Sequence, residues 1–405
     1  MAPYVNLHYI LIFFLISIVY VFSLEFRYHS QDELERLMYE FSENVREPLE
    51  ARVYSIGKSK GGRDLLVFEL TAAKNNSETV PNIQLTGNIH GNETPGREIL
   101  LHLIEYLISN YDENDRIRWL LDNTRIHILP CLNPDGWEVA EIGDCAGLEG
   151  RNNLDDYDLN RNFPNFVPGE EEVEQVETKA IKEWNRNVSF VLAGDLHAGA
   201  VVTIYPFHKM TKTKYGYESQ SSITPDDKIF EHIANVYARN NVVMYQQTIF
   251  CDNETFPGGI TRGASWYYFL GGMQDYNYIE HGTMALTFEI SCCKYPPEEN
   301  LTEIWEQNKK SLIMFCCEAN RGVTANVRES NTGKPITNAN VTILGIDKVI
   351  HTNEDGRLWK ILLPGKYYLR VDADGYETVE NTFIVEYEDE EFPKLTKLEI
   401  VMNRS

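Results

Sequence analysis

The chain has 405 residues, 43% of them hydrophobic and 12% aromatic, with 23 tyrosines. That composition excludes a disordered chain and suffices for one large core and a second, smaller one. The formal net charge of −24 argues against nucleic acid as a partner, because phosphate binding calls for clustered Lys and Arg; it reads as a solvated surface with a weak attraction for cationic ligands.

In chain order, the first feature is an apolar stretch from Tyr9 to Phe22. It is short for a membrane span and ends near the small residues Val21 and Ser23, which predicts a secretory signal peptide cleaved after Ser23. The positive segment that ordinarily precedes such a stretch is missing, so an uncleaved anchor is the competing reading. Asn82 to Gly87 reads as a short strand and Arg97 to Ser109 as an amphipathic helix. Thr124 to Leu132 reads as a strand closed by the turn Asn133-Pro134-Asp135-Gly136. The run Glu170-Glu171-Glu172 suits an exposed loop or a first helical turn. Thr178 to Trp184 is helical, and Phe190 to Leu196 and Met284 to Ile290 are strands. This alternation predicts an α/β domain with a mixed sheet over residues 24–320, with its site at strand ends.

After Arg321 the texture changes. Short alternating strands at Val323–Arg328, Asn340–Leu344, Lys366–Val371 and Leu398–Met402 are separated by turns at Asn331-Thr332-Gly333, Glu354-Asp355-Gly356, Pro364-Gly365 and Asp374-Gly375. Residues 321–405 therefore read as a small all-β sandwich. The chain closes on the polar Asn403-Arg404-Ser405, and no C-terminal membrane anchor is expected.

Seven cysteines occur: Cys131, Cys145, Cys251, Cys292, Cys293, Cys316 and Cys317. A secreted chain would pair some of them, and the odd count leaves at least one without an intramolecular partner. The vicinal pairs lack the C-x-x-C spacing of thiolates converging on one ion, so their role reads as structural. Glycosylation sequons at Asn75, Asn187, Asn253, Asn300 and Asn340 agree with secretion. A sixth, at Asn92, lies inside a candidate metal motif and is expected to stay unmodified.

That motif is His90-x-x-Glu93. Imidazole and carboxylate are ordinary zinc ligands, and this spacing brings both to one ion. Chance also supplies the pattern, at His102/Glu105 and His351/Glu354. His102/Glu105 sits in a helical run and reads as partly exposed helix surface; His351/Glu354 lies in the β region with no third ligand in view. His90 instead follows a strand and is flanked by Gly87 and Gly91, where a ligand is held firmly yet remains accessible. His197 ends a strand and, taken alone, is a hydrogen-bonded histidine. With His90 and Glu93 it completes a two-His, one-carboxylate zinc set with an open position. Glu289 is a carboxylate in the apolar run Leu286–Ile290, either a buried salt bridge or a general base beside a metal. Asn160 and Arg161 place an amide beside a guanidinium, suited to a carboxylate or else to a structural loop.

Together these stretches resemble the metallocarboxypeptidase family, in its regulatory branch of carboxypeptidases N, E, M and D. The matching segments are Gly87–Glu93, Leu132–Gly136, Gly150–Asn153, Asp158–Pro164, Leu196-His197, Gly271–Asp275 and Phe288–Cys293. The likeness runs through most of residues 25–403, the tail resembling the transthyretin-like domain of that branch. The resemblance implies one zinc ion per chain, held by His90, Glu93 and His197. It implies Glu289 as general base and proton donor, and Arg151 as oxyanion stabiliser. Asn160 and Arg161 would clamp the substrate's terminal carboxylate, and Tyr267, rather than Tyr268, would close over the substrate. A secreted monomer acting on peptide or protein C-termini is the resulting expectation. Branch members preferring Lys or Arg carry an Asp where this chain has His208, followed by Lys209; Gln274 lies at the pocket base and carries no charge. A basic lining opposes a cationic side chain, so a neutral or acidic preference stands beside the branch's preference for Lys or Arg. A catalytically silent binding protein on the same scaffold is the alternative function, against which stands retention of all eight residues of the catalytic set.

Overall fold

The computed structural model describes residues 24–73, 79–165, 173–209, 222–252, 254–386 and 392–405, with backbone alone at 211–213 and 216–218. The N-terminal apolar segment, the Glu170-Glu171-Glu172 run and the sequons at Asn75 and Asn253 lie outside the described residues.

The first helix, Gln31–Asn44, starts at a reciprocal cap: the Ser30 hydroxyl accepts from the Glu33 amide, and the Glu33 carboxylate accepts from the Ser30 amide. Leu34, Leu37, Met38 and Phe41, three or four residues apart, form its buried face. There follow β1 (Glu50–Lys58), β2 (Asp64–Thr71), β3 (Asn82–Gly87), β4 (Arg125–Leu129), β5 (Phe190–His197) and β6 (Ala200–Tyr205). A ribbon of β7 (Thr211–Thr213) and β8 (Gly216–Glu218) precedes β9 (Ile260–Arg262) and β10 (Met284–Ser291). Eight of these strands form one mixed sheet in the order β1-β2-β4-β3-β5-β10-β6-β9. Its centre, β4-β3-β5-β10, is parallel. β5 is buried along its whole length, as expected of a strand covered on both faces. On β2 the residues alternate between two apolar clusters: Leu66, Phe68 and Leu70 join one, Leu65 and Val67 the other.

The C-terminal region begins at β11 (Gly322–Glu329) and continues with β12 (Asn340–Ile343), β13 (Ile346–His351), β14 (Arg357–Lys360), β15 (Gly365–Asp372), β16 (Val379–Val385) and β17 (Leu395–Met402). They pair as two sheets, β14-β11-β17 and β13-β12-β15-β16. Val323, Val327 and Leu369 belong to the same apolar cluster as Phe288 and Leu312 of the α/β region, so the two regions share a core. Lys360 pairs with Asp226 at 2.6 Å across this junction, both side chains buried. Breaking such a pair by removing one partner would cost about 3–5 kcal/mol.

Three expectations are corrected. The strand expected over Thr124–Leu132 is limited to Arg125–Leu129, and the expected turn at Asn133–Gly136 starts a helix, Pro134–Val139. The Asn133 side chain accepts from the Gly136 amide and caps that helix, and Pro134 occupies its first turn. His102 is buried, not partly exposed; its ring stacks on Phe26 at 3.9 Å. No described helix is long and apolar enough to cross a membrane.

Candidate active site

His90, Glu93, His197 and Glu289 come together at the C-terminal ends of β3, β5 and β10. In the parallel β5–β10 pairing, Glu289 stands directly beside His197. His90 and Glu93 lie in the loop leaving β3, which is too tight for any side chain at Gly91: a Cβ there would stand 2.3 Å from the backbone of Gly136 and Trp137. Within this loop the Asn88 amide donates to the carbonyls of His90 and Gly91 at 2.9 Å each.

One ligand atom from each of His90, Glu93 and His197 falls within 4.8 Å of the others, and all three residues are buried. Glu93 lies between the rings, with Oε1 3.0 Å from His90 Nδ1 and Oε2 2.8 Å from His197 Nδ1. The outer nitrogens are engaged as well: His90 Nε2 faces Asp158 at 3.1 Å, and His197 Nε2 faces Asp195 at 2.8 Å. Both Nδ1 atoms thus point inward while carboxylates orient the rings from behind, as in metal centres. Burial opposes the Glu93 charge, yet His90 and His197 outweigh it and hold the carboxyl well below the usual range. The residues fit a zinc ion: two imidazoles and a carboxylate converge on a space already organised around charge.

Glu289 is 7% exposed, and its Oε2 is buried without a hydrogen-bond partner among the described residues. Burial, and then the negative charge of Glu93, push its pKa up to about 8, against the pull of His197, Arg151 and Lys294. Arg151 donates to Glu93 Oε1 at 3.2 Å and through two nitrogens to Asp158 Oδ2, at 3.1 and 2.9 Å. Asn160 is buried, its Oδ1 accepting from the Met273 amide. Arg161 lies over the Phe269 ring at 3.6 Å, and among the described residues no carboxylate pairs with it. Tyr267 is 42% exposed beside Phe269, and Tyr268 is 57% exposed.

His208 is buried, its ring 4.3 Å from Phe269. Gln274 Nε2 lies 3.4 Å from His208 Nδ1, and Gln274 Oε1 is buried without a partner among the described residues. Asp275 accepts from the backbone amides of both His208 and Lys209, while the Lys209 ammonium lies 4.7 Å over the Phe207 ring. The carboxylate behind His208 is thus satisfied by backbone, which sets the basic pair beside a fixed negative charge.

Sequence reasoning assigned no role to Asp158, Asp195, Phe269, Asp275 or Lys294, whose ammonium lies 3.8 Å from Glu93. Asp158 and Asp195 each stand two residues from a site residue already singled out, Asn160 and His197, and that spacing was the available signal. The vicinal pair Cys292-Cys293, which follows Glu289 closely, divides between two partners. Cys293 bonds to Cys145 and Cys292 to Cys251, leaving Cys131, Cys316 and Cys317 free and buried. Asn92 is buried and donates to the Gly147 carbonyl, a position that bars a glycan.

The zinc carboxypeptidase family model matches residues 38–311, and a carboxypeptidase regulatory-like domain model matches residues 322–391. Carboxypeptidase M of Mus musculus is 39% identical over 380 residues, covering 93% of this chain and 85% of that protein. The carboxypeptidase N catalytic chain of Homo sapiens is 38% identical over 400 residues, covering 92% and 85%. Carboxypeptidase D of Homo sapiens is 38% identical over 369 residues, 90% of this chain but 26% of that longer protein. Among solved structures, carboxypeptidase A from Helicoverpa armigera shares the fold with a TM-score of 0.56 at 18% identity, over 73% of this chain and 74% of that one. With a buried His-Glu-His group beside a lone carboxyl, and likeness of this extent, the chain belongs to the zinc carboxypeptidase family, on the branch of carboxypeptidases M, N and D.

Proposed function

We propose that the chain is a secreted enzyme that hydrolyses the last peptide bond of peptides or proteins, releasing one residue at a time, with His90, Glu93 and His197 holding one zinc ion. The observation that carries this reading is the adjacency of His197 and Glu289 on paired strands, Glu289 keeping one oxygen free of any partner among the described residues. Zinc, when bound, supplies Lewis acidity toward a water and a scissile carbonyl. The free Oε2 of Glu289 accepts the proton of the attacking water and returns it to the leaving amine. Arg151, oriented by Asp158, sets its positive charge where the carbonyl oxygen gains negative charge. Arg161, 3.6 Å over the Phe269 ring and with no carboxylate partner among the described residues, offers its guanidinium with Asn160 to the substrate's terminal carboxylate. Tyr267, at the exposed mouth, covers the bound residue.

His208, Phe269 and Gln274 line the pocket for that residue's side chain. An imidazole against an aromatic ring and an uncharged amide favours a neutral side chain over Lys or Arg, since among the described residues no free carboxylate awaits a cation there. The test is release from blocked dipeptides ending in Arg, Phe and Glu, with and without a zinc chelator. Chelator-sensitive release of Phe above Arg is expected. Preference for Arg would refute the reading of the pocket, and no release from zinc-loaded protein would refute the reading of the enzyme.

A further inference from the structure

A cavity of about 590 Å³ opens between the α/β region and the C-terminal sandwich. Phe190 and Met284, the first residues of β5 and β10, are in its wall. It therefore lies at the opposite end of the strands that carry His197 and Glu289. Seven residues at about 3.3 Å each put the two sites roughly 23 Å apart along β5.

Its charge runs against that of the whole chain. In a protein of net charge −24, the lining includes Arg186, Lys348, Arg357 and Lys360 but Glu280 as its one acid, with His281 and His351 beside them. Lys360 is matched by Asp226. The other three cations are not: among the described residues no carboxylate pairs with Arg186, Lys348 or Arg357. The Lys348 ammonium donates to the Ile279 carbonyl at 2.7 Å and lies 5.6 Å from the Tyr278 ring. Burial, and then the nearby Lys360, hold its pKa below the ordinary value. The two histidines do not make this a metal site. Among the described residues, His90, Glu93 and His197 form the one group of three donors close enough to share an ion.

We propose that this cavity binds a multivalent oxyanion, a phosphate- or sulfate-bearing ligand. Its volume falls in the range of small-ligand pockets. Two guanidinium groups supply planar, paired donors suited to such oxygens, and Lys348 adds a point charge. The site is independent of the peptidase reading, because none of its residues takes part there.

The test is calorimetric titration of the full-length protein at 0.15 M salt with two probes, inorganic pyrophosphate and a heparin-derived octasaccharide. General attraction is suppressed at −24 and at that salt, so binding reports a local site. Saturable binding of either probe is expected, weakened at least about tenfold in Arg186→Ala/Arg357→Ala and unchanged in the surface control Arg36→Ala. Pyrophosphate alone would identify a free phosphate ligand, and the octasaccharide alone a glycan sulfate. No binding of either probe, or equal binding by the double variant, would overturn the proposal. Thermal unfolding of the double variant at the wild-type temperature ensures that a loss of binding is not a loss of fold.

Discussion

The two ends of β5 and β10 carry opposite chemistry. At the C-terminal end, Glu93, Asp158, Asp195 and Glu289 gather around two imidazoles, with Arg151 and Lys294 as the adjoining cations. At the N-terminal end, three cations unmatched among the described residues face one acid. Burial, and then the negative charge of Glu93, push the pKa of the Glu289 carboxyl up to about 8, the effect of taking a carboxyl out of water beside a like charge. A divalent cation at one end and an oxyanion at the other would each relieve an imbalance built into the fold. Net charge describes neither end, since it averages over a surface on which these sites are small.

The comparison breaks most severely when the ligand set is cut. His197→Ala is expected to abolish both zinc retention and turnover, read as metal content after dialysis alongside peptide release. Arg161→Ala should raise KM far more than it lowers kcat, with kcat/KM falling about 10- to 100-fold from the lost charged hydrogen bonds. Asp158→Asn should weaken zinc affinity by about 10–100-fold, measured by competition with a chelator; Arg151 loses its partner in the same variant, so kcat falls as well. His208→Asp should move the pocket toward cationic residues, raising release of C-terminal Arg relative to Phe by about tenfold. An unchanged ratio would place the selectivity elsewhere.

The smallest effect concerns a histidine that belongs to neither site, although its ring packs on Phe190 at 5.2 Å. His127 on β4 is buried, accepting from Tyr54 or donating to it at Nδ1 and facing Asn82 Oδ1 at Nε2. Burial, and then Arg125 and Arg52, lower its pKa to about 3. The unfolded chain takes up this proton near pH 6.5 and the folded chain only near 3, so between those values unfolding binds a proton. The stability contributed is full above pH 6.5 and declines as pH falls toward 3, by at most about 1.4 kcal/mol per pH unit. Urea unfolding at pH 7 and pH 5 should show a smaller loss in His127→Gln than in the parent chain.

The sequence made much of this legible, and where it did not the reason is physical. β5 and β10 were visible because they are rich in apolar residues, and β3 because Ile83 and Leu85 alternate with polar residues before Gly87. β13, β14 and β16 were missed: β13 and β16 alternate buried or half-buried with exposed residues over short spans, a pattern weaker than that of a fully buried strand. The Asn133–Gly136 segment looked like a turn because Asn-Pro and Asp-Gly signal turns, but an Asn cap followed by Pro also starts helices. That His90, Glu93 and His197 gather was readable from residue types and their places at strand ends, not from the His-x-x-Glu spacing, which also occurs at His102/Glu105 and His351/Glu354. Asp195 offered only its two-residue spacing from His197, and its place behind the ring depends on which way each ring nitrogen points. The cation-rich cavity was invisible for a similar reason: Arg186 and Arg357 are 171 positions apart in a chain dominated by acids, and only the docking of the sandwich brings them together.

The central claim is that a zinc site held by His90, Glu93 and His197 works with Glu289 as its proton carrier. The most direct test loads wild type and Glu289→Gln with zinc, then measures metal per chain and the rate of release from a blocked dipeptide. The account predicts one zinc per chain in both, with the variant slower by about 10²–10⁴-fold. Release by the zinc-loaded variant at the wild-type rate would contradict it.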